Sequence, residues 1–203
     1  MGRSKYKIGL TGTHSTGKTS FLNNLASALR GHGFSVGRVG DLAESAHRLG
    51  FGILREHTWE STLWIITRGI SCELEESLRS DVVLVDRAVP DALAYLRAAL
   101  HTRGATIDTW QKGVLEDFVR GISRTYDVLL KTEIDPALGI QDDNRRDTDP
   151  VFRQLVDEKL DEVYAELGIE CRPLSTAIVD GVLNDLVGGI LQDGRKSYNG
   201  GRC

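Results

Sequence analysis

Short apolar runs alternate along the chain with longer stretches whose apolar residues recur every three to four positions. Five runs, Tyr6–Leu10, Phe34–Val39, Val82–Asp86, Tyr126–Lys131 and Ile169–Leu174, are rich in Val, Ile and Leu and mostly continuous. Continuous runs of this length suit parallel strands covered on both faces. Helical stripes lie between them. The first is Phe21, Leu22, Leu25 and Leu29, the second Leu63, Ile66, Ile70, Leu74 and Leu78, and the third Leu93, Leu96 and Leu100. Leu115, Phe118, Val119 and Ile122 make the fourth, and Val151, Phe152, Leu155, Leu160, Val163 and Leu167 the fifth. Val182, Leu183, Leu186, Val187 and Ile190 close the series. Strands alternating with helices predict an α/β fold, a five-stranded parallel sheet sandwiched by helices. No repeat and no Pro- or Ser-rich linker interrupts the pattern, so residues 1–192 read as one domain. The last stretch, DGRKSYNGGRC (193–203), has no apolar periodicity and predicts a disordered tail.

Composition narrows the function. The chain has 203 residues, and Lys+Arg 25 against Asp+Glu 29 gives a net charge of −4. That balance offers no broad basic footprint, so a nucleic-acid polymer is a disfavoured partner. Cys72, Cys171 and Cys203 are odd in number and share no C-x-x-C spacing, which favours a reducing compartment. The basic start MGRSKYK is not followed by an apolar core, and no run approaches the roughly 18 residues of a membrane span. A cytoplasmic location without membrane attachment is expected. The histidines lack H-x-x-x-H spacing, which argues against zinc, and no G-x-S-x-G supports covalent catalysis.

The strongest chemical signal is GTHSTGKT, Gly12 to Thr19, which matches G-x-x-x-x-G-K-[ST] at every fixed position. It leaves a strand and opens a helix, as a P-loop NTPase fold requires. Gly12 and Gly17 let the backbone curl so that amides around Thr13, His14, Ser15 and Thr16 converge on an anion, with Ser20 in the helix turn behind them. The helix beginning near Lys18 adds its positive end. Lys18 then reaches the β- and γ-phosphates of ATP, and the Thr19 hydroxyl ligates Mg2+. Asp86, next to last in the run SDVVLVDR (80–87), is the expected carboxylate for that metal or its water.

Two further segments complete the sequence reading. QDDNRRDTD (141–149) carries six charges and no apolar residue, as suits a mobile lid spanning about 139–153. Guanidinium groups there would stabilise the charge that develops on the transferred phosphoryl group. Asp149-Pro150 reads as N-cap and first position of the next helix, with Arg153 one turn inside. Residues from about 44 to 80 form a helical insertion at the carboxyl ends of the strands, where doubly wound folds bind ligands. It carries Phe51, Trp59, Trp64, His47, His57, Arg48, Arg55 and Arg68. Trp64 and Arg68, spaced i to i+4, share a face and are the better pocket candidates, whereas Trp59 fits the core equally well.

The residues GTHSTGKTS, Glu44 after the second strand, VVLVDRAVPDALAY (82–95) and DDNRRDTD together resemble the P-loop nucleoside and nucleotide kinases. The nearest branch contains the ribosylnicotinamide kinase domain of a bifunctional NAD-biosynthesis regulator, with thymidylate kinases and deoxynucleoside kinases as cousins. The resemblance spans roughly residues 5–190. It implies that Glu44 and Asp86 surround the acceptor hydroxyl and the metal, with Arg87 toward the substrate; Arg48, in the insertion, and Asp91, four residues after Arg87, are further candidate substrate-binding residues. It implies too that Arg145 and Arg146 sit on the lid and that a donor base rests near Thr176. The usual acid-Gly-x-Arg of the lid stands here as Asp142-Asp143-Asn144-Arg145-Arg146, without the glycine. The general base is Glu44, Asp41 or Asp86, with Glu44 the better fit. The implied function is Mg2+-dependent transfer of the γ-phosphate of ATP to a hydroxyl of a nucleoside, nucleotide or similar small-molecule acceptor. A homodimer is compatible with the sequence. An NTPase switch would use the same phosphate loop, but neither an N-K-x-D motif nor an arginine-finger subdomain is present. A kinase of nucleic-acid ends would need a basic track that the charge balance does not favour.

Overall fold

Strand β1 (Tyr6–Thr11) buries Ile8 and Leu10 completely because it has a strand on either side and helices above and below. It pairs in parallel with β3 (Val82–Asp86) and with β4 (Val128–Thr132). Strand β2 (Val36–Val39) adds to β3 and β5 (Arg172–Leu174) to β4, giving the order β2-β3-β1-β4-β5. The computed structural model describes residues 5–13, 16–134 and 149–199, with side chains through 192. Its helices are α1 (Lys18–Gly31), α2 (Ala43–Arg48), α3 (Trp59–Ser77), α4 (Pro90–Arg103), α5 (Thr109–Ser123), α6 (Pro150–Leu167) and α7 (Val179–Asn199). A 3-10 turn (Leu54–Glu56) separates α2 from α3.

The two-residue period of the strands divides the core. Ile8, Leu10, Leu84 and Leu130 face α1 and α7 through Leu22, Leu25, Leu29 and Ile190. Val83, Val85 and Leu129 face the other layer through Ile66, Leu93, Leu96, Leu115, Val119, Leu160 and Val163. Helix α4 lies deepest in that layer, with Ala94, Leu96, Ala98 and Ala99 inaccessible.

Strand and helix boundaries differ from the sequence expectation for identifiable reasons. The Phe34 amide donates to Leu29 O at 3.2 Å and closes α1, so β2 begins only at Val36. The Ile169 amide donates to Tyr164 O at 3.0 Å past a left-handed Gly168, and β5 shrinks to three residues. The sheet-facing row of α3 is Thr62, Ile66, Gly69 and Glu73, which turns Leu74 and Leu78 outward. Phe118 and Val151 are likewise exposed. Helix α7 continues to Asn199, into the stretch where a disordered tail was expected. Among the described residues no helix is long and apolar enough to cross a membrane.

Candidate functional site

Gly12 has φ 127° and Gly17 φ 81°, the left-handed turns that fold the phosphate loop over the start of α1. A Cβ on Gly12 would also overlap Thr132, so the position is closed to other residues by conformation and by space. Thr132 braces the loop, with its hydroxyl 2.6 Å from that of Thr16 and donating to Thr11 O at 3.1 Å. Lys18 is buried. Its ammonium donates to Gly12 O at 2.8 Å, to Thr13 O and to Thr16 Oγ1 at 3.1 Å. Burial, followed by the like charge of Arg87, pulls its pKa down to about 7, against the opposing pull of Asp91, Asp86 and Asp41. Ser20 lies exposed in the first turn of α1, and His14 and Ser15 fall outside the described residues.

The hydroxyl of Thr19 donates to Asp86 Oδ2 at 3.0 Å. An alcohol and a carboxylate at the mouth of a phosphate loop are hard oxygen donors that fit Mg2+, which takes few protein ligands and keeps several waters. Arg38, 3.4 Å from the same carboxylate oxygen, was not anticipated from the sequence. No group of three or more His, Cys, Asp or Glu side chains forms a metal cluster among the described residues.

Beside the loop lies a cavity of about 890 Å³. The carboxyl ends of β2 and β3, with α2, the 3-10 turn, α3 and the start of α4, enclose it. Arg87 is its central cation. The guanidinium donates to Asp41 and to the Tyr95 hydroxyl at 3.2 Å, and lies 3.6 Å from Asp91 Oδ2. Burial opposes its charge, but Asp41, Tyr95 and Asp91 hold it firmly protonated. Burial also works to raise the Asp41 carboxyl, yet Arg87 and the Ala43 amide at 2.9 Å hold it below its ordinary value. Asp91 is the link to the phosphate loop. Its Oδ1 accepts from the Thr11 hydroxyl and, at 3.3 Å, from the Gly12 amide. Burial raises Asp91 to about 6, against Arg87 and Lys18.

The opposite wall is a braced turn. Arg103 donates to the carbonyls of Arg55 and His57, and Arg55 reaches Asp149 while lying 4.8 Å over the Phe152 ring. His57 stacks on Tyr95 at 5.7 Å, and burial lowers its pKa to about 4. Leu54 (φ 56°) and Arg87 (φ 69°) are the non-glycine residues in the left-handed region among those described, and both line this cavity. Backbone strain of this kind concentrates at functional sites.

The structure gathers Glu44, Arg48, Arg87 and Asp91 around the cavity, as the sequence suggests. Glu44 is exposed there and pairs with Arg48 at 3.3 Å, whereas Asp41 touches Arg87 directly. Trp64 and Arg68 do not line it. Trp64 packs 5.6 Å from Phe51, and Arg68 reaches Glu75 at 3.9 Å, because the α3 row facing inward is Ile66, Gly69 and Glu73. Trp59 is a packing residue, edge-on to Trp110 at 5.3 Å. Thr176 lies exposed in the turn between β5 and α7. Asp149 caps α6 as expected, its carboxylate accepting from the Val151 amide at 2.7 Å, and Arg153 is buried one turn on. Arg145 and Arg146 fall outside the described residues. Glu73, held at the cavity floor by Lys7 at 2.9 Å and the Tyr126 hydroxyl at 2.6 Å, carries no local sequence signal. His57, in the insertion, and Tyr95, at the end of VVLVDRAVPDALAY, gain meaning only through the cavity.

A family model described as an AAA domain matches residues 7–180. No curated protein matches in sequence. The fold is similar to that of deoxyadenosine kinase from M. mycoides with bound dATP, at TM-score 0.60 and 12% identity, covering 89% of this chain and 98% of that one. Thymidylate kinase from Ehrlichia chaffeensis gives TM-score 0.60 and 17% identity, with coverage of 92% and 99%. NadR protein in complex with NR gives TM-score 0.61 and 17% identity over 84% of this chain and 45% of that one.

Proposed function

The chain belongs to the AAA-domain family in a P-loop kinase-like fold, and on that premise we propose that it is an ATP-dependent small-molecule kinase. The observation that carries the reading is Asp91, one carboxyl group that touches the end of β1 at Thr11, the phosphate loop at Gly12 and the acceptor cavity at Arg87. A donor site and an adjoining acceptor cavity sharing one side chain suit direct transfer rather than a nucleotide switch.

In this reading Lys18 and the loop amides from Gly12 to Ser20 hold the triphosphate. Thr19 and Asp86 hold Mg2+, which when bound neutralises charge on the phosphates. The acceptor oxygen bonds to the γ-phosphorus as the bond to the β-phosphate oxygen breaks, ADP leaves, and the hydroxyl proton passes to a carboxylate. Asp41, beside Arg87 in the cavity, is the candidate for that role ahead of Glu44, the sequence-based choice, which pairs with Arg48 at the rim; both carboxylates are exposed. Arg145 and Arg146 would close over the phosphoryl group, and Thr176 would lie by the donor base. A cytoplasmic location belongs to the same proposal.

The test is Mg2+-dependent ADP production from ATP with and without pooled nucleosides, nucleotides and other hydroxyl compounds, with Lys18→Ala as control. Stimulation by one pool that Lys18→Ala abolishes is expected, and a flat rate across all pools would refute a kinase.

A further inference from the structure

The arginines of the acceptor cavity are already matched by acids. Carboxyl groups of Asp41, Glu44, Glu56, Glu73 and Asp91 line it, against guanidinium groups of Arg48, Arg55 and Arg87. Arg87 engages Asp41 and Asp91, Arg55 engages Asp149, and Arg48 engages Glu44 in an exposed pair at the rim. A phosphate group brought against Arg87 would gain one cation that is already satisfied and meet two carboxyl groups at its side. Like-charge juxtaposition in a partly buried site is strongly unfavourable. The remaining wall is apolar, with Val39, Leu42, Ile53, Ile65 and Ile66 offering a surface suited to a planar ring.

One side chain in this wall is a built hydrogen-bond acceptor. Nδ1 of His57 lies 3.3 Å from Leu54 O, and a carbonyl oxygen only accepts, so Nδ1 carries the hydrogen. Burial and the nearby charges of Arg87 and Arg103 keep the ring neutral, which leaves a lone pair on Nε2. Nε2 makes no hydrogen bond among the described residues. Stacking on Tyr95 and the Arg103 bond to its own carbonyl hold the ring in place.

We propose that this cavity takes a phosphate-free, uncharged hydroxyl compound bearing a planar ring, of the nucleoside type, and that His57 accepts a hydrogen bond from an N–H or O–H of that compound. The inference rests on the kinase reading above and narrows its acceptor. The strained φ of Leu54 then has a role, since it aims the carbonyl that fixes the His57 tautomer.

The test is titration calorimetry of the full chain with matched pairs, each nucleoside against its 5′-monophosphate, alongside ADP production from ATP with each. A nucleoside is expected to bind and drive turnover, with its monophosphate weaker by at least about tenfold in both. His57→Phe is expected to raise the nucleoside KM about 2- to 10-fold with kcat changed less, and His57→Gln, whose amide oxygen accepts, to recover part of it. Preference for monophosphates overturns the phosphate-free acceptor and leaves the kinase reading standing. Failure of every pair to bind or to drive turnover overturns both. Wild-type nucleoside affinity in His57→Phe overturns the role given to His57.

Discussion

Thr19 and Asp86, 67 positions apart in the chain, meet hydroxyl to carboxylate at 3.0 Å. The contact joins the first turn of α1 to the last residue of β3, so the register between β1 and β3 sets its geometry. Two rigid elements fix the pair before any cation arrives, and a preformed oxygen pair loses little freedom on binding one. Asp86→Asn should therefore raise the Mg2+ concentration needed for half-maximal ADP production and cut the rate at saturation about 10²-fold or more. An unchanged Mg2+ titration curve would remove Asp86 from the metal site.

Lys18 has a pKa near 7 beside the loop carbonyls. A triphosphate next to the ammonium favours its charged form, so binding should take up a proton when the pH lies above 7. Calorimetry at pH 8 in buffers of different ionisation enthalpy should show that uptake, and Lys18→Met should lose it. Equal heats in all buffers would contradict the assignment.

His57 and Asp91 pull stability in opposite directions with pH. The folded pKa of His57, about 4, lies below its ordinary 6.5. Between those values the unfolded chain binds the extra proton, so this contribution is intact above pH 6.5 and lost as the pH falls toward 4. The folded pKa of Asp91, about 6, lies above its ordinary 3.8, so its contribution is favourable at low pH and lost as the pH rises through 6. The two nearly cancel between pH 4 and 6. Thermal unfolding of His57→Phe should therefore show Tm falling from pH 4 to 6 more steeply than wild type, and Asp91→Asn should show the reverse.

Which carboxylate takes the proton can be separated by substitution. With Asp41 as base, Asp41→Asn should lower kcat by roughly 10²-fold or more while ATP binding persists, and Glu44→Gln should change it little. The opposite pattern would return the role to Glu44.

Gly12→Ala should abolish the rise in Tm that ATP gives the wild-type protein, because the φ of 127° and the neighbouring Thr132 both exclude a side chain. Retention of the full ATP-induced shift would show that the loop can be remade around Thr132.

Much of this was legible beforehand where a local signal exists. The phosphate loop, Asp86, the five strands and the Asp149-Pro150 helix start follow from spacing and caps that act over a few residues. The acceptor wall was less legible. Trp64 and Arg68 share a helix face as expected, but the sheet selects the row of Ile66, Gly69 and Glu73, which lies elsewhere on the same cylinder. Periodicity tells which residues share a face and not which face meets the sheet. Asp41 and His57 acquire their chemistry from Arg87, Tyr95 and Arg103, partners brought together by tertiary folding alone.

The placement of β1 in the middle of the sheet bears on how the protein is made. Strand β1 leaves the ribosome before both of its neighbours, with no partner on one edge until β3 emerges at Val82 and none on the other until β4 emerges at Val128. Such long-range parallel pairings form slowly and late. A nascent chain halted before β4 lacks Thr132 to brace Thr16 and presents one bare edge of an apolar strand to any other chain nearby. A strand made before both of its partners is thus among the last to mature, and the burden of keeping it from its neighbours falls on the interval of synthesis between residues 11 and 132.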